Sequence, residues 1–265
     1  MTYRVKNTVL TSLRFILLFS TLCVSHQALA IVSMESVHLG KPPQGFSGAF
    51  DLSFDADYGN TEERTTSTGI KLQNTSEQRI NFVIANYEYG ESSGTKIKNK
   101  SFLHYRHIYQ RQADYALEGF AQLSSNEFTR LNLRALAGGG IRLTLGEITD
   151  KRAFLLGLGA FYEREDLDVD ASLGEDETSE AVRANVYLVM KFHFNDNVSL
   201  VSSTYLQPDF GQLSDFRAIE DLSLVSKLTE RLALKIGLDV SHDSEPPPAV
   251  EKTDTSIKVG LSVSF

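Results

Sequence analysis

The sequence is poor in residues on which several classes of protein depend. It has 265 residues, with one cysteine, no tryptophan and six prolines. The cysteine, Cys23, follows Leu22, where a lipoprotein signal would have a small residue. We expect cleavage after Ala30, which leaves a mature chain without cysteine. Thiol catalysis, disulfide bonds and cysteine-ligated metal sites are then excluded.

A long apolar run is also missing, because no segment after residue 30 stays apolar for 18 residues. The N-terminus has three basic residues (Arg4, Lys6 and Arg14), an apolar run at 15–24 that is too short to span a membrane as a helix, and a small-x-small site at 28–30. Residues 1–30 are therefore predicted to be a cleaved secretory signal peptide, with an uncleaved anchor as the alternative. Removing them changes the formal net charge from −8 to −11. Such an acidic chain is a poor candidate for binding nucleic acid.

The clearest positive signal is the alternation of apolar and polar residues at the C-terminal end. Positions 257, 259, 261, 263 and 265 are apolar, and the positions between them hold Lys, Gly and Ser. A strand with one apolar face that ends on an aromatic residue is typical of an outer-membrane β-barrel. The segment also resembles the C-terminal signal that the barrel-assembly machinery recognises, and the positions that carry this resemblance are Lys258, Gly260, Val263 and Phe265.

The same period of two recurs along the rest of the chain, where helical spacing explains none of the segments. We predict an all-β fold: a single transmembrane antiparallel barrel of about 12 strands over 46–265, preceded by a short periplasmic segment at 31–45. The predicted strands lie near 46–58, 64–73, 79–90, 97–110, 113–124, 129–145, 152–164, 181–194, 197–207, 215–228, 231–242 and 254–265.

The connections between these strands predict the orientation of the barrel. Outer-membrane barrels have short periplasmic turns and longer external loops. The even-numbered connections are short, whereas the two longest, 165–180 and 243–253, are odd-numbered. This parity predicts a multi-pass barrel in the bacterial outer membrane with both termini in the periplasm.

Four segments resemble the family of salt-induced outer membrane proteins, whose function is undefined. They lie at 99–109, 126–138, 157–165 and 243–248. The resemblance covers most of 46–265 and implies an outer-membrane barrel. It offers no catalytic residue, cofactor or substrate to transfer, and its link to salt or osmotic stress rests on the family's name alone.

The alternation directs charged residues of both signs into the lumen. One hypothesis is a small diffusion pore with a basic lining, centred on the arginines of the sixth and eighth strands. The alternative is a lumen largely filled by ion-paired side chains, which stabilises a barrel that does not conduct. The predicted inward residues are Asp51, Asp55, His104, Arg106, Asp114, Glu118, Arg130, Arg134, Arg142, Arg183, Lys191, Arg217, Asp221, Lys227, Lys235, Asp239 and Lys258.

Two weaker patterns are candidates for a hydrolase site and a calcium site. His242 and Ser244 share the outward side of the eleventh strand, and they resemble the His and Ser of outer-membrane phospholipases, but no Asn that would orient the His is evident. The acidic positions 166, 168, 170 and 177 echo the spacing of a calcium loop, yet Ala171 stands where that loop needs glycine. We therefore predict a non-enzymatic envelope protein without metal or cofactor, whose partners are outer-membrane lipid, lipopolysaccharide and the barrel-assembly machinery.

Overall fold

The computed structural model describes residues 44–57, 62–169 and 177–265, and almost all of them form β-strands. The predicted signal peptide and nearly all of the predicted lead-in lie outside these residues. None of the described residues forms a helix long and apolar enough to cross a membrane. The strands are β1 (Gly45–Asp57), β2 (Glu63–Thr75), β3 (Arg79–Ser92), β4 (Thr95–Gln110), β5 (Tyr115–Asn126), β6 (Leu131–Thr144), β7 (Arg152–Leu167), β8 (Thr178–His193), β9 (Val198–Pro208), β10 (Phe216–Lys227), β11 (Leu232–Asp243) and β12 (Thr253–Ser264).

The twelve strands form one closed barrel in which each strand pairs antiparallel with the next, and β12 pairs with β1. This confirms the predicted fold, and each strand end lies within three residues of its predicted position. A 3-10 turn, α1 (Glu127–Thr129), joins β5 to β6. Closure matters physically because it pairs β1 with β12 instead of leaving two full strand edges open.

The two sides of the wall differ as the alternation predicts. On β12 the outward residues Ile257, Val259 and Leu261 are 73%, 53% and 45% exposed, whereas the inward Ser256 is 4% exposed. Side chains on alternate positions of a strand point to opposite faces, so one sequence period produces both the apolar exterior and the polar interior.

Two glycines allow β1 and β12 to approach closely where the barrel closes. The backbones of Gly48 and Phe265 exchange hydrogen bonds of 2.8 and 3.0 Å. A Cβ on Gly48 would lie 2.6 Å from the Phe265 ring, and one on Gly260 would lie 2.9 Å from the carbonyl oxygen of Leu52. Gly48 therefore makes room for the Phe265 ring, and Gly260 makes room for the β1 backbone.

The two ends of the barrel have different connections. The turn end holds Gly45, Phe265 and the connections 76–78, 111–114, 145–151, 194–197 and 228–231. The loop end holds the others, including the two longest, 168–177 and 244–252. The two longest connections therefore lie at the end at which the sequence placed them. The connection between β3 and β4 is also at the loop end, but it consists of only Ser93 and Gly94, both at positive φ. These two left-handed residues make a tight hairpin where the sequence pattern predicted an external loop.

Candidate functional site in the barrel lumen

Apolar side chains fill much of the lumen in the half nearer the turn end. One buried cluster joins β3, β4 and β5 through Phe82, Ile84, Ile108 and Ala116. A second joins β8 and β9 through Tyr187, Val189, Val201 and Tyr205. The sequence pattern had already placed Phe82, Ile84 and Ile108 inward, and their burial confirms it. These side chains are packed against one another as in a protein core.

Level with these clusters, and sharing Tyr187 with the second of them, four side chains from β4, β5, β6 and β8 form a central ion layer: Arg106, Glu118, Arg142 and Tyr187. The Tyr187 hydroxyl donates a 2.7 Å hydrogen bond to Glu118 Oε2 and accepts one of 2.9 Å from Arg142 Nε. Arg106 and Arg142 each approach the same carboxylate oxygen to 3.5 Å. One carboxylate thus compensates for two guanidinium groups in a setting where an unpaired charge would be costly.

Aromatic rings complete the surroundings of Arg106. Its guanidinium carbon lies 5.4 Å from the ring centroids of Phe120 and Tyr187 and 6.0 Å from that of Phe82. Cation–π attraction is strongest when the cation is removed from water, as it is here. Gly157 on β7 makes room for Tyr187, because a Cβ there would lie 1.9 Å from the Tyr187 ring.

The half nearer the loop end contains a second group of charges, the loop-end cluster, centred on Glu163 of β7. Its Oε1 accepts hydrogen bonds of 2.6 Å from Arg183 and 2.7 Å from Arg217. Arg134 lies 3.5 Å from Glu163 and 2.6 Å from Glu165. The cluster also includes Asp215, paired with Arg183, and Asp243, paired with Arg217. Every arginine in it is therefore bound to at least one carboxylate.

Several of these contacts join strands that are not neighbours. Arg217 on β10 reaches Glu163 on β7, and Tyr187 on β8 reaches Glu118 on β5. A third bridge runs from β12 to β3, where Lys258 donates a 2.7 Å hydrogen bond to Glu88. These cross-lumen bridges subdivide the interior of the barrel.

A cavity of about 310 Å³ remains between the bridges and opens toward the loop end. Phe102, Phe120 and Phe161 line its middle, and Pro246 and Pro247 of the last loop line its mouth. Beside the β1–β12 junction its lining continues down to Lys235 and Gly260. The lumen is thus a cup with a packed floor that is deepest next to this junction.

Most predicted lumen residues lie on strands with their side chains inside, but three predictions need correction or fall outside the description. Arg130 lies in the turn after α1, at a φ of 58°, instead of on the sixth strand. Its guanidinium donates to the carbonyl oxygens of Asp168 and Pro248, so it joins loops at the mouth. Asp114 is exposed in the connection before β5. Asp55 is on β1, but its side chain lies outside the described part of the structure.

The remaining predicted residues divide among separate groups instead of forming one basic lining. Arg134, Arg183 and Arg217 belong to the loop-end cluster, whereas Arg142 belongs to the central ion layer. His104 packs between Phe102 and Phe120, with ring centroids 6.1 and 6.2 Å away. Three further candidates lie elsewhere: Lys191 is buried near the turn end of β8, Asp51 is 3.5 Å from Lys235, and Lys227 is exposed at the end of β10.

The sequence pattern predicted Glu118, the carboxylate of the central ion layer, but missed the carboxylates of the loop-end cluster and of the β3–β12 bridge. Glu163 and Glu165 share the side of β7 on which Phe161 points inward, so parity alone could have included them. Glu88 shares the inward side of β3 with Phe82 and Ile84. The alternation therefore places all three glutamates inward. The apolar inward residues of β3 and β7 made it hard to tell from the sequence which side of these strands faces the lumen.

The two weaker sites do not assemble among the described residues. Ser244 Oγ donates to the Ser214 carbonyl oxygen at 3.0 Å, while His242 Nδ1 lies 2.8 Å from Thr253 Oγ1. The serine proton is therefore directed to a backbone carbonyl group and not to a histidine. Asp170 of the calcium-like loop lies outside the described residues, and no group of three or more His, Cys, Asp or Glu side chains in 44–57, 62–169 and 177–265 could hold a metal ion.

The loop end also has a polar contact outside the strands' membrane-facing region. Lys96 and Asn99 donate hydrogen bonds of 2.5 and 2.9 Å to Glu127 Oε2 in α1. These hydrogen bonds lower the pKa of the exposed Glu127 carboxyl group. The contact ties the turn after β5 to the β3–β4 hairpin at the rim.

A closed antiparallel barrel with an apolar exterior and a polar, ion-bridged interior defines an outer-membrane β-barrel protein. Residues 50–265 match the family described as "Protein of unknown function, DUF481", and the chain belongs to that family. No curated protein matches the chain.

Solved structures of other outer-membrane barrels are similar in fold. An outer membrane channel from Pseudomonas putida F1 has a TM-score of 0.52 and 14% identity, over 89% of this chain and 100% of the channel. The NanC porin has a TM-score of 0.49 and 11% identity, over 82% of this chain and 98% of the porin. The translocator domain of the autotransporter NalP from Neisseria meningitidis has a TM-score of 0.46 and 11% identity, over 86% of this chain and 91% of the domain. At these identities the likeness shows the fold alone.

Proposed function

We propose that this protein is a non-enzymatic barrel of the bacterial outer membrane whose lumen is closed to free diffusion. The observation that carries this proposal is the central ion layer, together with the two apolar clusters that surround it. Arg106 and Tyr187 are each 1% exposed, so water has almost no access to these two side chains of the layer. The cup at the loop end would then receive small solutes without passing them through.

Single-channel recording in planar bilayers tests the closed lumen. Wild-type protein should give no conductance steps at any salt concentration or voltage. A Tyr187→Ala, Arg142→Ala double variant, which removes two members of the central ion layer, should give measurable steps. A matched Arg164→Ala variant, which changes an exposed arginine on the outward face of β7, should remain silent. Regular steps from wild-type protein would refute the proposal.

A small pore for solutes or ions is the second candidate, and the shape of the cavity favours it. The cavity reaches deepest beside the β1–β12 junction, where Lys235 and Gly260 line it. The inward residues below them, Ala49 and Ser262, are small. If this route conducts, the ion selectivity of the conductance steps should differ between the wild type and a Lys235→Gln variant, because Lys235 is one of the charges that line the deep end of the cavity.

A lipid hydrolase at the rim is the remaining alternative, and it is tested directly. Purified wild-type protein and a Ser244→Ala variant are compared in a phospholipase assay. Activity in the wild type that is lost in the variant would establish the enzyme. We expect no Ser244-dependent activity, because the Ser244 hydroxyl donates to the Ser214 carbonyl oxygen.

We also propose that both termini are periplasmic and that the loop end faces the lipopolysaccharide. Because the mature chain is predicted to lack cysteine, single cysteines can report on orientation in intact cells. A membrane-impermeant maleimide should label Ala249→Cys in the last loop but not Asn195→Cys in a short turn. Labelling of Asn195→Cys alone would reverse the orientation.

Assembly and stress complete the proposal. The resemblance at Lys258, Gly260, Val263 and Phe265 suggests recognition by the barrel-assembly machinery, and Phe265→Ala should lower the amount of folded barrel in the outer membrane. The resemblance to salt-induced proteins suggests a role in osmotic stress. A reporter fused to the promoter should respond to added salt, and no response would remove that part of the proposal.

A further inference from the structure

Two buried oxygen atoms near the deep end of the cup have no hydrogen-bond partner in the described part of the chain. Asp221 on β10 is 2% exposed, and its Oδ2 is one of them. Ser203, its cross-strand neighbour on β9, is 0% exposed, and its Oγ is the other. The second carboxylate oxygen of Asp221 accepts a 3.3 Å hydrogen bond from Ser223. Buried polar atoms without partners are uncommon in folded proteins, so these two oxygens are candidates for binding a ligand from outside the chain.

A second carboxylate faces the same place. Asp239 on β11 is the direct cross-strand partner of Asp221, and both point into the lumen. Directly opposed side chains have Cβ atoms about 4.5–5.5 Å apart, and like charges in such a pair repel each other. The neighbouring cation, Lys235, lies 3.5 Å from Asp51. The next lysine, Lys258, lies across from Gly237 and binds Glu88, so both lysines of this stretch already have a carboxylate partner.

The same region has unfilled space. A Cβ on Gly237, between Lys235 and Asp239 on β11, would meet no atom within 4 Å. Ser223, Gly237 and Asp239 all line the cavity. An ion that enters the cup from the loop end can therefore reach Asp239, whose direct cross-strand partner is Asp221.

We propose that Asp221 and Asp239, with the hydroxyl groups of Ser203 and Ser223, bind a divalent hard cation of the calcium type. Carboxylate and hydroxyl oxygens are the ligands that such cations prefer, and a divalent ion neutralises the two carboxylates. Calcium suits the place better than magnesium because it tolerates irregular coordination completed by water. The proposed ligands are two carboxylates and two serine hydroxyl groups, so the site is not one of the groups of three or more His, Cys, Asp or Glu side chains considered above.

Calcium binding to the folded protein tests the proposal. Barrel purified in detergent and freed of metal with a chelator is titrated with calcium chloride in a calorimeter, and its unfolding temperature is measured in calcium, magnesium or sodium chloride at matched ionic strength. Wild-type protein should bind one calcium ion, and calcium should raise its unfolding temperature more than magnesium or sodium does. Equal unfolding temperatures in the three salts, with no heat of binding, would overturn the proposal.

Three variants locate the ion. Asp221→Asn should lose the calcium-dependent rise, and Ser203→Ala should reduce it. Gly237→Val removes no ligand but fills the open space, so it should also lose the rise while it still folds into a barrel. Glu180→Gln, an exposed acidic residue at the rim, should behave as the wild type.

The main competing explanation is a proton shared by Asp221 and Asp239. In that case Asp221→Asn would raise the unfolding temperature equally in all three salts, and the wild type would not respond to calcium; this result refutes the cation site. The inference uses the cup of the proposed function but does not depend on whether the barrel conducts. A conducting barrel that binds calcium would refute only the closed lumen, and a silent barrel without calcium binding would refute only the site.

Discussion

At the scale of single residues, Glu163 is the centre of the loop-end cluster. Its side chain is 2% exposed and lies within 3.5 Å of nitrogen atoms of Arg134, Arg183 and Arg217. Bringing these charges out of water is expensive, and the carboxylate compensates for part of that cost. The net attraction within the cluster is therefore small. Glu163 matters for stability because its removal would leave buried arginine charges uncompensated.

We predict that Glu163→Ala lowers the free energy of unfolding by about 3–5 kcal/mol, the usual effect of removing one partner of a buried ion pair. The matched control is Glu180→Ala, which breaks an exposed pair with Arg164 and should change the free energy by about 0.2–1 kcal/mol. Denaturant unfolding in lipid vesicles measures both. Equal effects in the two variants would show that the cluster is not buried as described.

Gly157 is a second residue with a sharp expectation, because the Tyr187 ring occupies the space that its side chain would take. Gly157→Ala should displace the ring and destabilise the barrel by about 1–3 kcal/mol, as overpacking does. Gly119→Ala is the control, since its Cβ would meet only one carbonyl oxygen at 3.9 Å. Thermal unfolding of the two variants compares them, and an unchanged Gly157→Ala protein would contradict the packing.

At this scale the sequence predicts the side of the wall but not the partner. Parity placed Arg134, Arg142 and Arg183 inward, and all three point there. It grouped them into one basic lining, whereas the structure separates Arg142 from the other two. Which carboxylate each arginine reaches depends on distances across the lumen. These distances are set by how the barrel closes, and a local alternation with a period of two carries no information about closure.

At the scale of elements, the junction of β1 and β12 is the least extensive ladder in the barrel. It has four cross-strand residue pairs, whereas the ladder between β1 and β2 has thirteen. Fewer ladder contacts give a lower free energy of local opening. The terminal strand is thus held mainly by β11 on its other side.

Hydrogen exchange measures this difference. We predict that amides of β12 bonded toward β1 exchange faster than amides of the same strand bonded toward β11, since opening the junction breaks fewer contacts. Exchange of the folded protein in detergent, followed by mass spectrometry or NMR, reports both sets. Equal protection on the two sides would contradict a weak junction.

Strand positions were well predicted because each strand has its own alternation. The exceptions have local causes. The sixth strand begins at Leu131 instead of near 129 because Asn126 caps α1 and Arg130 adopts a left-handed conformation. The β3–β4 hairpin is tighter than predicted because Ser93 and Gly94 both accept positive φ. Polar turn residues mark a connection without fixing how many residues it uses.

At the scale of the whole molecule, the location of the charges predicts a weak response to salt. Glu88, Glu118 and Glu163, which make the cross-lumen bridges, are 3%, 7% and 2% exposed. Salt screens exposed pairs far more than buried ones. We predict that the unfolding temperature changes by less than about 4 °C between low and high sodium chloride, which corresponds to under about 1 kcal/mol for a protein of this size. A fall much larger than this would indicate that the bridges are hydrated.

The overall architecture was predictable because closure and location follow from a repeated pattern, but the state of the lumen was not. Whether an interior conducts depends on how Arg106, Tyr187 and the rings around them fill its cross-section. Side-chain volumes can be read from the sequence, but their positions in one cross-section depend on the stagger of twelve strands. The hypotheses of a filled lumen and of a pore therefore share one fold prediction and differ only in packing.

The cross-lumen bridges also make the barrel sensitive to errors in strand alignment during assembly. If one strand slips by two residues, its apolar and polar faces are preserved, so the membrane and the lumen would both accept it. Each residue advances a strand by about 3.3 Å, however, so such a slip would separate Lys258 from Glu88, or Arg217 from Glu163, by more than an ion pair can span. The bridges thus favour a single shear among the alignments that hydrophobicity alone would permit, and they encode the barrel's diameter in its interior.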